Sequence, residues 1–289
     1  MAKLIIDHSR CTACSLCAKS CPTGALKIEN GRLCNYEDSC TLCGVCADAC
    51  PFSALSIEKE AAAGMHGDLN SYNDIWVFAE IIGGEVLPVA YELTSKAREL
   101  ADKKGCKAVA LLFGTKLAGK EDSLIAAGAD EVYICEDDIF AGNLDAPLTE
   151  IITGLAFDKK PEIILFGATG LGRTLAPRVA ARLKTGLTAD CTVLEIDDET
   201  GLLKQTRPAF GGNLIATIIT PNHRPQMATV RPGVMPVLEL SSNRQGIVTP
   251  VPPPTIKKSA VELIEHIIAG RGETIADADI IVSVGRGIG

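Results

Sequence analysis

The chain has 289 residues, of which 47% are hydrophobic and 22% charged, and its formal net charge is −8. This length and composition are typical of one or two globular domains with a sizeable core. The negative charge and an aromatic content of 4% argue against binding of nucleic acid or of an anionic membrane surface. No apolar run is long enough to span a membrane, and the chain begins without a secretory signal. We therefore expect a cytoplasmic protein.

The cysteines are concentrated near the N-terminus, where nine of the twelve lie between Cys11 and Cys50. Residues 11–22 read CTACSLCAKSCP, and residues 40–51 repeat the pattern as CTLCGVCADACP. Each copy is followed by a similar short segment, GALKIE in the first and SALSIE in the second. This internal duplication predicts two copies of a loop that leads into a short helix and then a strand.

The spacing of the cysteines predicts two [4Fe–4S] clusters. A C-x2-C-x2-C loop supplies three thiolates to one cluster, and the fourth cysteine, followed by proline, binds the other. The proline removes an N–H group and restricts the turn, and we expect the fourth cysteine to lie at the start of a helix. The predicted ligands are Cys11, Cys14, Cys17 and Cys50 for the first cluster, and Cys40, Cys43, Cys46 and Cys21 for the second.

Other uses of these cysteines are less compatible with the pattern. A structural zinc site takes four ligands, usually as two separated pairs, and a disulfide scaffold belongs to an oxidising compartment. Cys34 lies outside both runs, so we predict a packed or loop thiol there. Residues 1–58 resemble bacterial two-cluster ferredoxins, which implies an α+β ferredoxin-like domain.

Residues 59–73 gather Gly, Ala and Asn and predict a linker. From residue 74 short apolar runs alternate with amphipathic stretches, which predicts a parallel sheet covered by helices over residues 74–249. The predicted strands are 75–79, 109–113, 132–135 and 163–166, and the predicted helices are 91–104, 148–157 and 173–183. Later apolar runs at 189–196, 202–207, 215–219 and 227–231 carry fewer helical signals. We expect these runs to finish one side of the sheet as antiparallel strands.

A glycine-rich turn, GATGLGR at residues 167–173, follows a predicted strand and opens a helix. It lacks the G-x-G-x-x-G pattern and a suitably placed acidic residue. Two interpretations stay open: a tight turn between strand and helix, or contact with a flavin or nucleotide phosphate. Cys106, Cys135 and Cys191 lie in or beside apolar runs and are predicted to be small buried hydrophobes.

Three segments, taken together and in this order, resemble alpha subunits of electron-transfer flavoproteins. They are GRTLAPRVAARLKTGLTAD at 172–190, RPAFGGN at 207–213 and TVRPGVM at 229–235. The resemblance extends from about residue 74 to the end of the chain. It implies that the α/β domain is a Rossmann-like sheet that packs on a beta subunit and binds no flavin by itself.

The last forty residues predict a connection and the beginning of another domain. The proline-rich segment at 249–255 predicts a stiff linker, followed by a short helix at 260–269, so that residues 250–270 join two domains. Residues 278–284 predict a buried strand that leads into Gly285, Arg286 and Gly287. The resemblance implies that this turn opens an FAD domain, with Arg286 beside the isoalloxazine ring, although Val284 stands where the family has glycine. We expect residues 271–289 to be the start of a truncated FAD-binding domain.

Together the two resemblances imply an electron-transfer subunit with two [4Fe–4S] clusters and FAD. The implied partners are a beta subunit, a flavin-dependent dehydrogenase of acyl-CoA or hydroxy-acid type, and a soluble ferredoxin. Such a composition is expected in electron bifurcation or confurcation. A stand-alone catalyst is disfavoured because the sequence has no H-E-x-x-H, P-loop or Ser/His/Asp arrangement. The alternative is a non-bifurcating iron–sulfur scaffold whose α/β domain pairs with an AMP-binding beta subunit.

Overall fold

A computed structural model describes residues 3–36, 39–40, 43–58, 68–209, 214–238, 241, 243–255, 264, 278 and 280–288. The chain divides into two compact units, Met1–Ser71 and Tyr72–Gly289. Most of the predicted linker (residues 59–67) and the predicted helix at 260–269, apart from Ile264, lie outside the described residues. Within the described part of the chain, no helix is both long and apolar enough to cross a membrane.

The first unit is built from short elements arranged as two copies. Strand β1 pairs antiparallel with β4, and β2 pairs antiparallel with β3. The elements are β1 (Lys3–Ile6), α1 (Leu16–Lys19), β2 (Leu26–Glu29), β3 (Arg32–Asn35), α2 (Val45–Asp48) and β4 (Leu55–Glu58). Each copy therefore runs from a cysteine loop into a helix and then a strand, which confirms the duplication predicted from the sequence.

The predicted position of the fourth cysteine relative to the helix is wrong. Helix α1 begins before the third cysteine of its run, and Cys21 follows the end of that helix. The helix starts early because Ser15, at the N-cap, has a φ of 64° and turns the chain immediately after Cys14. It ends early because a residue that precedes proline, here Pro22, disfavours the helical conformation. The second copy repeats this geometry, with Gly44 at a φ of 86°.

The second unit contains a seven-stranded sheet in the order β11-β15-β10-β5-β8-β9-β16. All its pairs among the described residues are parallel, which fits a Rossmann-like α/β domain. The elements up to the last helix are β5 (Asn73–Phe78), β6 (Ile81–Ile82), β7 (Glu85–Val86), α3 (Pro88–Lys104), β8 (Ala108–Gly114), α4 (Lys120–Ala126), β9 (Glu131–Glu136), α5 (Asp145–Lys159), β10 (Pro161–Gly167) and α6 (Gly172–Leu183). The remaining strands are β11 (Leu187–Cys191), β12 (Val193–Ile196), β13 (Leu203–Ala209), β14 (Leu214–Ile218), β15 (Gln226–Val230) and β16 (Ile247–Pro250).

Two hydrophobic layers cover the central strands of this sheet. In β5, Trp76 belongs to the layer under α5 and α6, whereas Ile75 and Val77 belong to the layer under α3. This division follows from the alternation of side chains along a strand. Every residue of β8, β10 and β15 is buried, as expected for strands covered on both faces.

The expectation that antiparallel strands finish one side of this sheet is wrong. Strands β12, β13 and β14 do pair antiparallel, but they form a separate three-stranded sheet. The run predicted at 227–231 becomes β15, which lies parallel between β10 and β11. The run predicted at 189–196 is divided between two sheets, with a register shift between Thr188 and Cys191. Composition does not distinguish these outcomes, since both kinds of strand are short and apolar.

Two predictions for the C-terminal part also need correction. The proline-rich segment begins inside β16, which pairs parallel with β9 at the edge of the sheet. Pro250 is tolerated there because an edge strand leaves one row of N–H groups unpaired. Residues 280–285 are not in a strand, and Ile280 and Val282 are 85% and 87% exposed. An apolar run forms a buried strand only against a partner, and the described residues around this run provide none.

Candidate iron–sulfur and flavin sites

One cavity of the first unit is lined by four cysteines drawn from both copies of the repeat. About 290 Å³ of space that protein atoms do not fill lies there, including space open to solvent, and hydrophobic side chains, among them Ile28, Leu33, Phe52 and Leu55, complete its walls. Its cysteines are Cys11, Cys14, Cys17 and Cys50. We call it the first-cluster cavity. Three of its thiols come from one loop, whereas the fourth comes from the end of the other copy, 33 residues after Cys17.

A second cavity has the reciprocal composition. It contains about 330 Å³ of space that protein atoms do not fill, including space open to solvent, and its walls include Leu4, Leu26, Ile57 and Thr23. The cysteines that line it are Cys40, Cys43, Cys46 and Cys21. We call it the second-cluster cavity. The structure thus brings together each set of four cysteines that the sequence assigns to one cluster.

Equivalent cysteines in the two cavities have the same degree of burial. Cys14 and Cys43 are exposed, whereas Cys17 and Cys46 are buried. The Ala54 N–H group lies 3.4 Å from the Cys50 Sγ atom. At Cys21, a hydrogen bond with the Thr23 side chain, followed by backbone hydrogen bonds from Thr23, Ala25 and Leu26, lowers the pKa of the thiol. Backbone N–H groups that point at ligand sulfurs are one of the means by which a protein sets cluster potentials.

The electrostatics of both cavities favour a bound cation. Burial raises the pKa of the Cys17 thiol, and the nearby thiolates of Cys11, Cys50 and Cys14 raise it further. Burial likewise raises the pKa of Cys46. Four thiolates around one small cavity repel each other, and iron relieves this repulsion because a metal ion deprotonates the thiols that coordinate it. Among the described residues, no group of three or more His, Cys, Asp or Glu side chains is arranged so that it could hold a single metal ion.

The other four cysteines lie outside these cavities. Cys34 lies within β3, its Sγ atom 3.9 Å from the Arg32 carbonyl oxygen. Cys135 and Cys191 are buried, as predicted, and burial raises the pKa of each thiol to about 11. Cys106 is only half-buried, and burial raises its pKa to about 11 as well. The thiols of Cys106, Cys135 and Cys191 are therefore protonated at neutral pH.

The glycine-rich turn after β10 is a close packing device. A Cβ atom on Gly172 would lie 1.9 Å from the Gly167 carbonyl oxygen. The Thr169 hydroxyl accepts a hydrogen bond from the Gly172 N–H group at 2.9 Å and donates one to the carboxylate of Glu80. Glu80 is 2% exposed, and burial raises its pKa. The prediction of a tight turn between strand and helix is confirmed, whereas contact with a phosphate remains a hypothesis.

The sequence analysis missed a group of charged side chains, joined by salt bridges, at the carboxyl ends of β10, β15 and β11. The Asp190 carboxylate accepts hydrogen bonds from Arg173 at 3.0 Å and from Arg231 at 2.9 Å. Asp190 has a φ of 65°, and its N–H group donates to the Thr229 hydroxyl at 2.9 Å. Arg231, followed by Arg173, lowers the pKa of Asp190. The only sequence signal for this cluster is that its residues lie in two of the three segments that resemble flavoprotein alpha subunits.

The residues predicted to approach a flavin lie in an exposed turn. Arg286 begins a short 3-10 helix, Arg286–Ile288, in which no residue is buried. Gly285 and Gly287 have open space around them, since a Cβ atom on either would meet no atom within 4 Å. These residues offer one guanidinium group to an anionic ligand and no enclosing walls.

Two known protein families match separate parts of the chain. The electron transfer flavoprotein domain matches residues 75–256. The 4Fe-4S binding domain matches twice, at residues 4–27 and 36–56. The two matches include all eight cysteines that line the cavities.

Several curated proteins are similar to the chain over most of its length. The electron transfer flavoprotein subunit alpha of Thermoanaerobacterium thermosaccharolyticum is 48% identical over 224 residues, which cover 76% of this chain and 67% of that protein. The acryloyl-CoA reductase electron transfer subunit beta of Anaerotignum propionicum is 40% identical, with 76% and 67% covered. The lactate dehydrogenase (NAD(+),ferredoxin) subunit LctC of Acetobacterium woodii is 42% identical, with 76% and 53% covered. The chain thus spans about half to two thirds of the length of these relatives. It belongs to the electron transfer flavoprotein family, as an alpha subunit with an N-terminal ferredoxin domain of the two-[4Fe–4S] type.

Proposed function

We propose that this chain passes single electrons between the flavin of an electron transfer flavoprotein and a one-electron partner, through two [4Fe–4S] clusters. The observation that carries the proposal is the pair of four-cysteine cavities in the first unit, joined in one chain to an electron transfer flavoprotein domain. A flavin exchanges one or two electrons, whereas an iron–sulfur cluster exchanges one at a time. A complex that brings both kinds of site together is suited to separate an electron pair.

The ligand sets that we propose are crossed between the two copies. Cys50 completes the set of Cys11, Cys14 and Cys17, and the other four cysteines form the reciprocal set. Each cluster would then tie the two copies together, because its ligands come from both. The apolar side chains that line the cavities would exclude water from the sulfurs and so influence the reduction potential.

The names of the relatives suggest the type of complex. One is a subunit of a lactate dehydrogenase that uses NAD(+) and ferredoxin, and another is an electron transfer subunit of an acryloyl-CoA reductase. We therefore propose that the partners of this chain are a beta subunit, a flavin-dependent dehydrogenase of acyl-CoA or hydroxy-acid type, and a soluble ferredoxin, in a bifurcating or confurcating complex. Thiolate ligands persist best in a reducing compartment, which favours the cytoplasm.

The contribution of this chain to flavin binding would come from Gly285, Arg286 and Gly287. The Arg286 guanidinium is always charged, and a cation beside the ring of a flavin stabilises the reduced anionic form. The described residues supply this cation and the open space around it, and the remaining walls of the site would belong to other parts of the complex.

The proposal is tested by counting cofactors. The full-length alpha subunit is co-expressed with its beta subunit and purified without oxygen, and iron and flavin are measured per alpha–beta pair. We expect about eight irons, four for each [4Fe–4S] cluster, and two FAD molecules. Four irons or fewer in fully reconstituted protein would contradict the two-cluster proposal. One FAD together with one AMP would favour the non-bifurcating alternative.

A further inference from the structure

The two cluster cavities can be compared directly, because both are formed by copies of the same duplicated sequence. In each, the middle cysteine of the run, Cys14 or Cys43, is exposed, and the third, Cys17 or Cys46, is at most 8% exposed. Both cavities are small and mainly apolar. Features that the cavities share affect both clusters alike, so a difference in reduction potential has to arise where the two copies differ.

The copies differ at the second residue after the fourth cysteine. The first copy has Thr23 there, after Cys21, and the second has Phe52, after Cys50. Thr23 lines the second-cluster cavity, and its Oγ1 atom lies 3.6 Å from the Cys21 Sγ atom. Phe52 lines the first-cluster cavity, and its side chain has no hydrogen-bond donor. One ligand sulfur therefore has a hydroxyl neighbour that its counterpart lacks.

The direction of the Thr23 hydrogen bond follows from the chemistry of the ligand. A thiolate bound to iron carries no proton, so its sulfur only accepts and the Thr23 hydroxyl has to donate. Reduction adds one negative charge to the cluster and its thiolates. A hydrogen bond to a charged acceptor is stronger than one to a neutral acceptor, so this contact stabilises the reduced form more than the oxidised form.

We propose that Thr23 raises the reduction potential of the second cluster above that of the first, so that a single electron held by the chain resides mainly on the second cluster. This inference rests on the proposed function, in that it needs both clusters and their crossed ligands. The step transfers one electron and no proton. Its donor is a reduced flavin in the complex, and sodium dithionite replaces the flavin in the experiment below.

Charged residues near the clusters are the main competing influence. Lys19 and Asp48 occupy equivalent positions in α1 and α2 and have opposite charges. Both are exposed, so salt screens their effect, with a Debye length of about 3 Å at 1 M. The Thr23 hydroxyl acts in direct contact with the sulfur and is not screened. The contribution of Thr23 is therefore the one that persists at high salt.

The test is a redox titration of the full chain, reconstituted without oxygen. The titration is carried out in 1 M salt, and EPR measures the fraction of each cluster that is reduced. The key variant is Thr23→Val, which keeps the side-chain shape and fills the space with a methyl group. At a given potential, we expect this variant to raise the oxidised-to-reduced ratio of the second cluster about threefold to tenfold. That ratio corresponds to a midpoint lower by about 28 to 59 mV for one electron, with the other midpoint unchanged.

Three further variants make the result specific. Thr23→Ser retains the hydroxyl and should keep the wild-type potentials. Phe52→Thr places a hydroxyl beside Cys50 and should raise the other midpoint. Cys43→Ser changes the EPR spectrum of the cluster bound by Cys40, Cys43 and Cys46, and so identifies which signal belongs to the second cluster.

The outcomes separate this inference from the proposed function. A Thr23→Val protein that keeps eight irons and both wild-type midpoints would overturn the inference alone, as would a shift confined to the first cluster. A wild-type iron count of four or fewer would contradict the proposed function instead. An intact iron count in the Thr23 and Phe52 variants shows that a shifted midpoint does not reflect loss of the fold.

Discussion

The two units of this chain are held together in different ways. The first unit has 71 residues, strands and helices of four residues each, and a core formed by a few leucines and the cysteines themselves. The second has a parallel sheet in which whole strands are buried. A domain of about 70 residues with so small a core needs an additional staple, whereas the second unit buries enough apolar surface to fold without one. We infer that cluster binding and folding are coupled in the first unit only.

The largest effect that tests this comparison is expected from Cys50→Ala. This variant removes the fourth ligand of the first cluster, so about four of eight irons should be lost, and the EPR signal that disappears should be that of the cluster bound by Cys11, Cys14 and Cys17. Because metal-binding free energy contributes to folding, the first unit should also become sensitive to proteolysis. Cys34→Ala is the matched control and should retain all eight irons. Loss of the cluster bound by Cys40, Cys43 and Cys46 would contradict the crossed assignment.

Leu111→Ala should produce the opposite pattern. Leu111 is fully buried in β8, and truncation of a buried leucine costs about 2 to 5 kcal/mol. We expect the free energy of unfolding of the second unit to decrease by that amount. Circular dichroism during denaturant titration measures it. The iron content and the visible absorption of the clusters should not change. A parallel loss of iron would show that the two units do not fold independently.

A smaller effect is expected at the turn after β10. Gly172→Ala places a Cβ atom 1.9 Å from the Gly167 carbonyl oxygen, so the backbone has to move, at a cost of about 1 to 3 kcal/mol. Gly170→Ala, in the same turn, meets no atom within 4 Å and is the matched control. Thermal unfolding should show a lower midpoint for Gly172→Ala and almost none of that decrease for Gly170→Ala. Equal decreases would contradict the close packing described for this turn.

The smallest effect is expected at Asp190, and it should depend on pH. Arg231 and Arg173 lower the pKa of Asp190 in the folded chain. The carboxylate therefore stabilises the fold above its unfolded pKa of about 3.9, and this contribution is lost as the pH falls below that value. Asn tolerates the left-handed conformation, so Asp190→Asn removes the charge with little added strain. We expect a loss of about 1 kcal/mol or less at pH 7, because the arginines are exposed.

Denaturant titrations at pH 7 and pH 3.5 would measure this difference for the wild type and Asp190→Asn. The gap between the two proteins should narrow at the lower pH. A gap that stays constant would mean that the variant acts through the backbone rather than through its charge.

The sequence alone was sufficient where the information is local. The spacing within each run predicted which three thiols line one cavity, because short loops constrain the positions of residues three apart. The fourth thiol comes from the other copy, and it was assigned from the ligand pattern of two-cluster ferredoxins. The helix predicted over 91–104 carries Leu93, Ala97 and Leu100 at helical spacing, and all three are at most 2% exposed. The early start of α1 was not predicted, because it depends on the left-handed conformation of Ser15. The residue type serine does not indicate that conformation.

Only the tertiary structure decided the features that join distant parts of the chain. The placement of β15 beside β10, the edge position of β16 and the contact of Arg231 with Asp190 connect residues between about 40 and 120 positions apart. The run at 280–284 has the apolar character of a strand but lies exposed. Apolar residues indicate that a segment favours burial, but the tertiary structure determines which partner buries it. Local spacing and the ferredoxin ligand pattern thus predicted the iron–sulfur sites, while long-range packing determined the sheet of the second unit.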